Sequence, residues 1–344
     1  MAKSTEHIKI PTITPKWPRP EREYPISQRE NLMRAFNHEK PVYMPEIYGG
    51  SQIVGCPVNG DMPYSMNSDS HDWFGIQYEY SAVQGSPTPM THIFDEVAEW
   101  RTAIKWPDMD ALDWSIGVKE FQRDPDKMLA AAYGNGLFER FHMFEPFQNA
   151  VMDLLVEPEE CHEMFMALAD YKIKIFDKMK EQYPLDFIIH NDDWGTAHAP
   201  FFSTKLFEQT LLEPTVKFVQ HVQSTGTKVM FHNCGKIDQF IPYIVEEIKA
   251  DMLEIQPLND LEGIMKKYGD KVTIEVYPDP YIVYDPTSTT EDLVKHAREL
   301  VDKYGAHRFE GSGAVMYSRA HSCEAYQTFE KEVYNYSSEL YAKL

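Results

Sequence analysis

From about residue 150 onward, helical and strand-like segments alternate, and this alternation constrains the fold more than anything else in the chain. "PEECHEMFMALADYKIKIFDKMKEQY" leads into "LDFIIHNDD", and "STKLFEQTLLEPTVKFVQHVQSTG" leads into "KVMFHNC". "KIDQFIPYIVEEIKA" precedes "DMLEIQP", "DLEGIMKKYG" precedes "KVTIEVYP", and "TEDLVKHARELVDKYG" precedes "AHRFEGSG", before a last helix. Short, continuously apolar strands separated by helices predict a parallel sheet covered by helices. Five successive units plus an earlier strand in "PVYMPEIYGG" predict an α/β fold, a (β/α)8 TIM barrel. No Gly-rich dinucleotide fingerprint follows any of these strands, which argues against a doubly wound sheet.

Residues 1–25 are rich in proline and read as an extended arm, so the expected organisation is that arm followed by one barrel domain over 26–344. Ser27, with Glu30 three positions on, predicts the start of a first helix. Residues 50 to 125 are irregular and rich in aromatic, Pro, Gly and Asp residues, the pattern of an elaborated insertion near a site.

Composition narrows the partners. The net charge of −21 disfavours nucleic acid and anionic membrane surfaces. No apolar run has the length of a signal peptide core or a membrane span. Four cysteines, Cys56, Cys161, Cys234 and Cys323, are too sparse for a disulfide framework, so a reducing cytoplasm is expected.

In a barrel of this kind the chemistry gathers where strands end. Those ends carry His190, Asp192 and Asp193, then His232 and Cys234, then Glu254 and Gln256, then Glu275 and Glu310. Polar groups are costly to place there unless they are paired, hydrated or bound. Along a strand Met230, His232 and Cys234 share one face. An imidazole and a thiolate side by side suit a borderline-soft divalent ion such as zinc, which needs three protein ligands when catalytic. The other reading of these two residues is ordinary core packing. Cys323 is the only downstream cysteine, and Glu275 or Glu310 could take its place as third ligand. The adjacent carboxylates Asp192 and Asp193 are the candidate catalytic pair, with helix capping as their alternative role. His190, Trp194, Tyr48, Met90 and Glu254 are candidates for binding substrate.

The segments "RENLMRAFNHEKPVYMPEI", "HDWFGIQYEY", "HNDDWGTAHAPFFSTKLF" and "KVMFHNCGKIDQF", in that order, resemble the uroporphyrinogen decarboxylase superfamily over nearly all of the chain after the arm. The resemblance implies a (β/α) barrel and one of two chemistries. True decarboxylases hold a polycarboxylate with an arginine-rich loop, whereas "PEIYGGSQIVGCPVNGDMP" has no Arg or Lys. The other branch comprises zinc methyltransferases that exchange a methyl group with a corrinoid protein, through a His-x-Cys pair and a distant Cys. His232 and Cys234 match that pair. In the thiol-using members the distant Cys follows a strand end, where Ala314 stands here, and Cys323 lies further on.

That branch implies methyl transfer between a small donor, a methoxylated aromatic being the best match (an O-demethylase reaction), and a partner corrinoid protein. The alternatives are a methylcorrinoid:thiol methyltransferase, a decarboxylase-like enzyme without metal, and a non-enzymatic ligand-binding subunit. No corrinoid-binding module is visible in the chain, and its arm suggests a homodimer.

Overall fold

The computed structural model describes residues 22–54, 61, 70–81, 86–115, 121–133, 135–283, 285–309, 313–316 and 324–344. Its strands in chain order are β1 (Ser51–Val54), β2 (Ser70–His71), β3 (Gln77–Ser81), β4 (Ser86–Pro89), β5 (Met128–Tyr133), β6 (Phe187–Asn191), β7 (Lys228–Asn233), β8 (Met252–Ile255), β9 (Thr273–Val276) and β10 (Val315–Met316). Seven of them form one curled sheet in the order β1-β5-β6-β7-β8-β9-β10, and every ladder in it is parallel. A parallel bridge from Met316 to Glu46 joins β10 to the segment that runs directly into β1. The Met316 amide donates to the Pro45 carbonyl at 2.8 Å, and the Ile47 amide to the Met316 carbonyl at 3.2 Å.

The TIM-barrel expectation is met as a barrel-like parallel sheet wrapped by helices. Two details differ. "PVYMPEIYGG" supplies only the bridge at Glu46, and the regular strand begins at Ser51, beyond the turn at 47–50. Of "AHRFEGSG", Ala306–Phe309 form a turn and 310–312 lie outside the described residues; the strand described here is Val315–Met316. Ala314, Val315 and Met316 are buried there.

Alternation along the strands sorts their side chains into two cores. Met128, Ala130, Phe187, Ile189, Met230, Met252 and Val315 fill the inside with Leu32 and Phe36 of helix Gln28–Phe36, which plugs the N-terminal end of the barrel. The Ser27 hydroxyl accepts from the Glu30 amide at 3.1 Å, as the sequence predicts for the start of this helix. Leu129, Ile188, Val229, Phe231, Leu253 and Ile274 face outward and bury the covering helices, among them Pro158–Gln182, Leu212–Ser224 and Thr290–Tyr304.

The inner layers change character abruptly. Ile189, Met230, Met252 and Thr273 are register partners in turn, and one step toward the C-terminal ends the partners are Asn191, His232, Glu254 and Glu275. Residues two apart share a face, so a polar row caps an apolar one at the barrel mouth.

The insertion contains the antiparallel ribbon β2-β3-β4. It is tied down by a buried ionic cluster. Lys172 Nζ lies 2.6 Å from Asp61 Oδ2 and 2.7 Å from Asn135 Oδ1, and Arg140 Nη1 lies 2.6 Å from Asp72 Oδ2. Tyr171 and Tyr78 donate their hydroxyls to Asp61 and Asp72. Burial works against the charge on Asp61, but Lys172 and Arg140 outweigh it and hold the carboxyl below its usual range.

Candidate metal centre at the barrel mouth

The loops after β6 and β7 interlock on their backbones. Gly235 has φ +92°, and a Cβ there would lie 2.3 Å from the Gly195 carbonyl oxygen, so only glycine admits this approach. Asn233 fastens the same junction: its amide donates to the Asp192 carbonyl and its Oδ1 accepts from the Trp194 amide at 3.2 Å. The Cys234 amide donates to Asp193 Oδ1 at 2.7 Å.

These constraints bring one oxygen, one nitrogen and one sulfur together. Ligand atoms of Asp193, His232 and Cys234 all lie within 4.8 Å of one another. Cys234 Sγ is 3.4 Å from His232 Nε2, which is 3.6 Å from Asp193 Oδ1. Two ligands of a tetrahedral zinc, with Zn–N about 2.0 Å and Zn–S about 2.3 Å, stand roughly 3.5 Å apart. The spacing and the donor types therefore fit such an ion, and a fourth position would remain for substrate.

Behind the donors lies a support. His232 Nδ1 is 3.1 Å from Glu254 Oε2, and Tyr277 donates its hydroxyl to the other Glu254 oxygen at 2.6 Å. This pins the imidazole with Nε2 toward Cys234 and Asp193, the carboxylate–histidine arrangement that orients metal ligands. Burial alone would pull the His232 ring down, but Cys234 and Glu254 outweigh it and hold the imidazole well above its ordinary value. Burial raises the Cys234 thiol, with His232 opposing.

Two further carboxyls complete the mouth. Glu275 is fully buried, neither of its oxygens has a hydrogen-bond partner among the described residues, and burial beside Glu254 raises it far above the usual range. Glu139, half-buried in the first turn of helix Leu137–Phe144, accepts from the Gly136 amide at 3.3 Å. Burial, then Asp193 and Asp192, push it up to about 8.

Of the residues singled out from the sequence, Asp193, His232, Cys234, Glu254 and Glu275 converge at the mouth. Others are placed elsewhere. Asp192 leaves β6 on the opposite side, fully buried, where its carboxylate accepts from the Leu137, Phe138 and Glu139 amides at 3.1, 3.3 and 3.0 Å. It caps a helix, the alternative role weighed for it; burial raises it to about 6 against those donors. His190 also faces outward, its ring 5.1 Å from both Phe218 and Phe231, and burial lowers it to about 3, so it is a neutral core residue. Trp194 is buried against Phe207, Phe231 and Phe240. These three positions alternate with the inward set, so the strand's pleat takes them from the mouth. Tyr48 packs against the inner core, and Met90 is exposed at the end of the ribbon. Glu310 and Cys323 lie outside the described residues.

Glu139 and Tyr277 are absent from the sequence reading. A Gly-x-x-Glu pattern before an apolar run marks Glu139 as a helix-start residue, and only the fold turns that helix toward the mouth. Tyr277 continues the inward alternation of Thr273 and Glu275.

A parallel barrel whose mouth gathers imidazole, thiol and carboxylate donors from two adjoining strand ends defines the class of protein. The family follows: the chain belongs to the uroporphyrinogen decarboxylase (URO-D) family, whose model matches residues 142–314, half of its length. Among solved structures the fold is similar to that of a methyltransferase from Methanosarcina mazei, with a TM-score of 0.64 at 12% identity over 92% of this chain and 99% of that one. No curated protein sequence matches the chain. No helix among the described residues is long and apolar enough to cross a membrane.

Proposed function

We propose that this protein is a zinc methyltransferase that moves a methyl group between a small-molecule donor, a methoxylated aromatic, and a corrinoid carried by a partner protein. The observation that carries this reading is the convergence of Asp193 Oδ1, His232 Nε2 and Cys234 Sγ at ligand spacing. The name of the Methanosarcina protein, a methyltransferase, supports the methyl-transfer part of this reading. The described mouth offers no arginine cluster for a polycarboxylate, since Arg140 is committed to Asp72 and Asp61.

Asp193, His232 and Cys234 would hold the ion, with Cys323 the alternative to Asp193. When bound, zinc supplies a Lewis acid that polarises the methyl-bearing oxygen. Glu254, steadied by Tyr277, keeps His232 in the one tautomer that presents Nε2. Glu139, beside Asp193 at the same mouth, would be the group to give a proton to the phenolate oxygen as it leaves the methyl carbon. The interlocked glycine loops set Asp193 against Cys234 before any substrate arrives, so little reorganisation is left to the reaction.

Elemental analysis of protein purified without added metal tests the reading. About one zinc per chain is expected, lost in His232→Ala and in Cys234→Ala. Asp193→Asn and Cys323→Ser, measured beside them, identify the third ligand. Loaded protein should then demethylate a methoxybenzene with reduced cobalamin as acceptor. Wild-type protein that neither contains zinc nor takes it up on titration would overturn the proposal.

A further inference from the structure

Two consecutive amides flank the Cys234 side chain. That of Cys234 donates to Asp193 Oδ1 at 2.7 Å, and that of Gly235 donates to Gln256 Oε1 at 2.9 Å. Gln256 therefore stands beside the metal donors on the β8 side, as Asp193 does on the β6 side. It lies two residues beyond Glu254, on the same inward face, and is half-buried. The Gly235 contact also settles which end of the carboxamide is which, because an N–H can be met only by the oxygen. The nitrogen, which carries two N–H donors, has no partner among the described residues. Holding the loop does not account for this side chain. Asn259 already does so with every polar atom spent: its Nδ2 donates to the Gly235 and Gln256 carbonyls at 2.9 and 3.0 Å, and its Oδ1 accepts from the Ile237 amide at 2.8 Å. Asn233 fastens the other flank to Asp192 and Trp194.

Across the barrel the wall is apolar. With the segment bridged at Glu46 counted as one place, β1 lies four places from β8 in either direction round the sheet. Ile53 on β1 packs against the inner core and is half-buried. So is Ala132 on β5, which continues the inward alternation of Met128 and Ala130. A flat apolar ring seated against Ile53 and Ala132 turns its substituted edge toward His232, Cys234 and Gln256. β7 and β8 are neighbours, about 4.8 Å apart. With one ring oxygen at the His232–Cys234 pair, an oxygen within reach of Gln256 is therefore on the adjoining ring carbon. An oxygen at the opposite end of the ring points back to the apolar wall.

We infer that Gln256 determines specificity at this site: its carboxamide N–H donates to an oxygen acceptor on the ring carbon beside the one that bears the reacting methoxy group. The protein then selects benzenes with two neighbouring oxygens. The inference rests on the methyl-ether reading proposed above. Zinc-loaded protein and three ethers test it: 1,2-dimethoxybenzene, whose second oxygen can only accept, 1,4-dimethoxybenzene and anisole. Dissociation constants from calorimetric titration without corrinoid are measured beside kcat/KM with reduced cobalamin. The wild type should favour the 1,2-isomer over each of the others about tenfold, the worth of one hydrogen bond. Gln256→Glu keeps an acceptor for the Gly235 amide but puts a carboxylate oxygen in place of the donor. Its preference should vanish or reverse, with the circular dichroism spectrum unchanged. Gln256→Leu, which adds no charge, should bring the ratio to about one. A residue that only held the loop would move all three ethers together. Equal affinity of the wild type for the three, or a preference for the 1,2-isomer that persists in both variants, would overturn the inference and leave the methyl-transfer reading standing. Wild-type protein that neither binds nor demethylates any of them would overturn both.

Discussion

His232 is held from two sides, and the energetics of the mouth turn on which side is disturbed. Its Nδ1 faces Glu254 and its Nε2 faces Cys234 and Asp193. Glu254→Gln keeps the shape but replaces the carboxylate with an amide that can also donate, so the ring is free to present the wrong nitrogen. Metal affinity should fall about 10- to 100-fold, measured by competition with a chelator, and Tyr277→Phe should cost less. Unchanged affinity in Glu254→Gln would show that the imidazole is oriented by its packing alone. The sequence makes His232 and Cys234 legible as a pair because alternation along a strand is a local property. It does not reveal Asp193 as their neighbour, since that contact depends on two loops meeting at Gly195 and Gly235.

At the scale of elements, the two adjacent aspartates separate cleanly into two jobs. Asp193 turns into the mouth. Asp192 turns out, beneath the first turn of helix Leu137–Phe144, and satisfies three amides that a helix start leaves without partners. Gly136 permits this closeness, because a Cβ there would fall 2.3 Å from the Asp192 side chain. Asp192→Ala should destabilise the protein by about 3 kcal/mol, since buried donors are left unsatisfied, and Asp192→Asn should cost less because it retains an acceptor. Thermal unfolding followed by circular dichroism measures both. Equal losses in the two variants would mean that the negative charge, and not the acceptor, holds the helix. Strand and helix order was legible throughout the second half of the chain because periodicity is written locally. In "AHRFEGSG" the described residues Ala306–Phe309 form a turn, and the strand of two residues at Val315–Met316 leaves almost no periodic signal.

Across the whole molecule, buried charge governs stability. Lys172→Met removes a cation that Asp61 and Asn135 both contact and leaves the Asp61 carboxylate short of a partner. A loss of about 3 kcal/mol or more is expected in urea unfolding, because breaking one side of a buried pair is costly. A pH effect accompanies it. Glu145 is fully buried, and burial, then Asp153, with which its side chain shares a hydrogen bond, push it up to about 9. Glu139 is raised to about 8. The folded chain therefore keeps protons that the unfolded chain releases near pH 4.5 or below. The stability tied to these protons is complete in acid below that point and is lost as pH rises toward 8 to 9, in the direction linkage requires. The unfolding midpoint of metal-free protein should fall between about pH 5 and about pH 8, and Glu145→Gln should flatten that fall. A midpoint in Glu145→Gln that drops as steeply as in the wild type would show the proton to be held elsewhere.

What the sequence determined by itself is whatever depends on neighbours along the chain: the alternation of strands and helices, the polar residues at strand ends, the shared face of His232 and Cys234, and the cap at Ser27. Tertiary structure alone decided which of two adjacent aspartates faces the mouth, that His190 and Trp194 pack among outer aromatics, and that Glu254, Tyr277 and Glu139 gather round one imidazole. Periodicity fixes which side chains share a face. Only the closure of the sheet, with each strand's register against its neighbour, fixes which face is inside and which residues from distant units meet there.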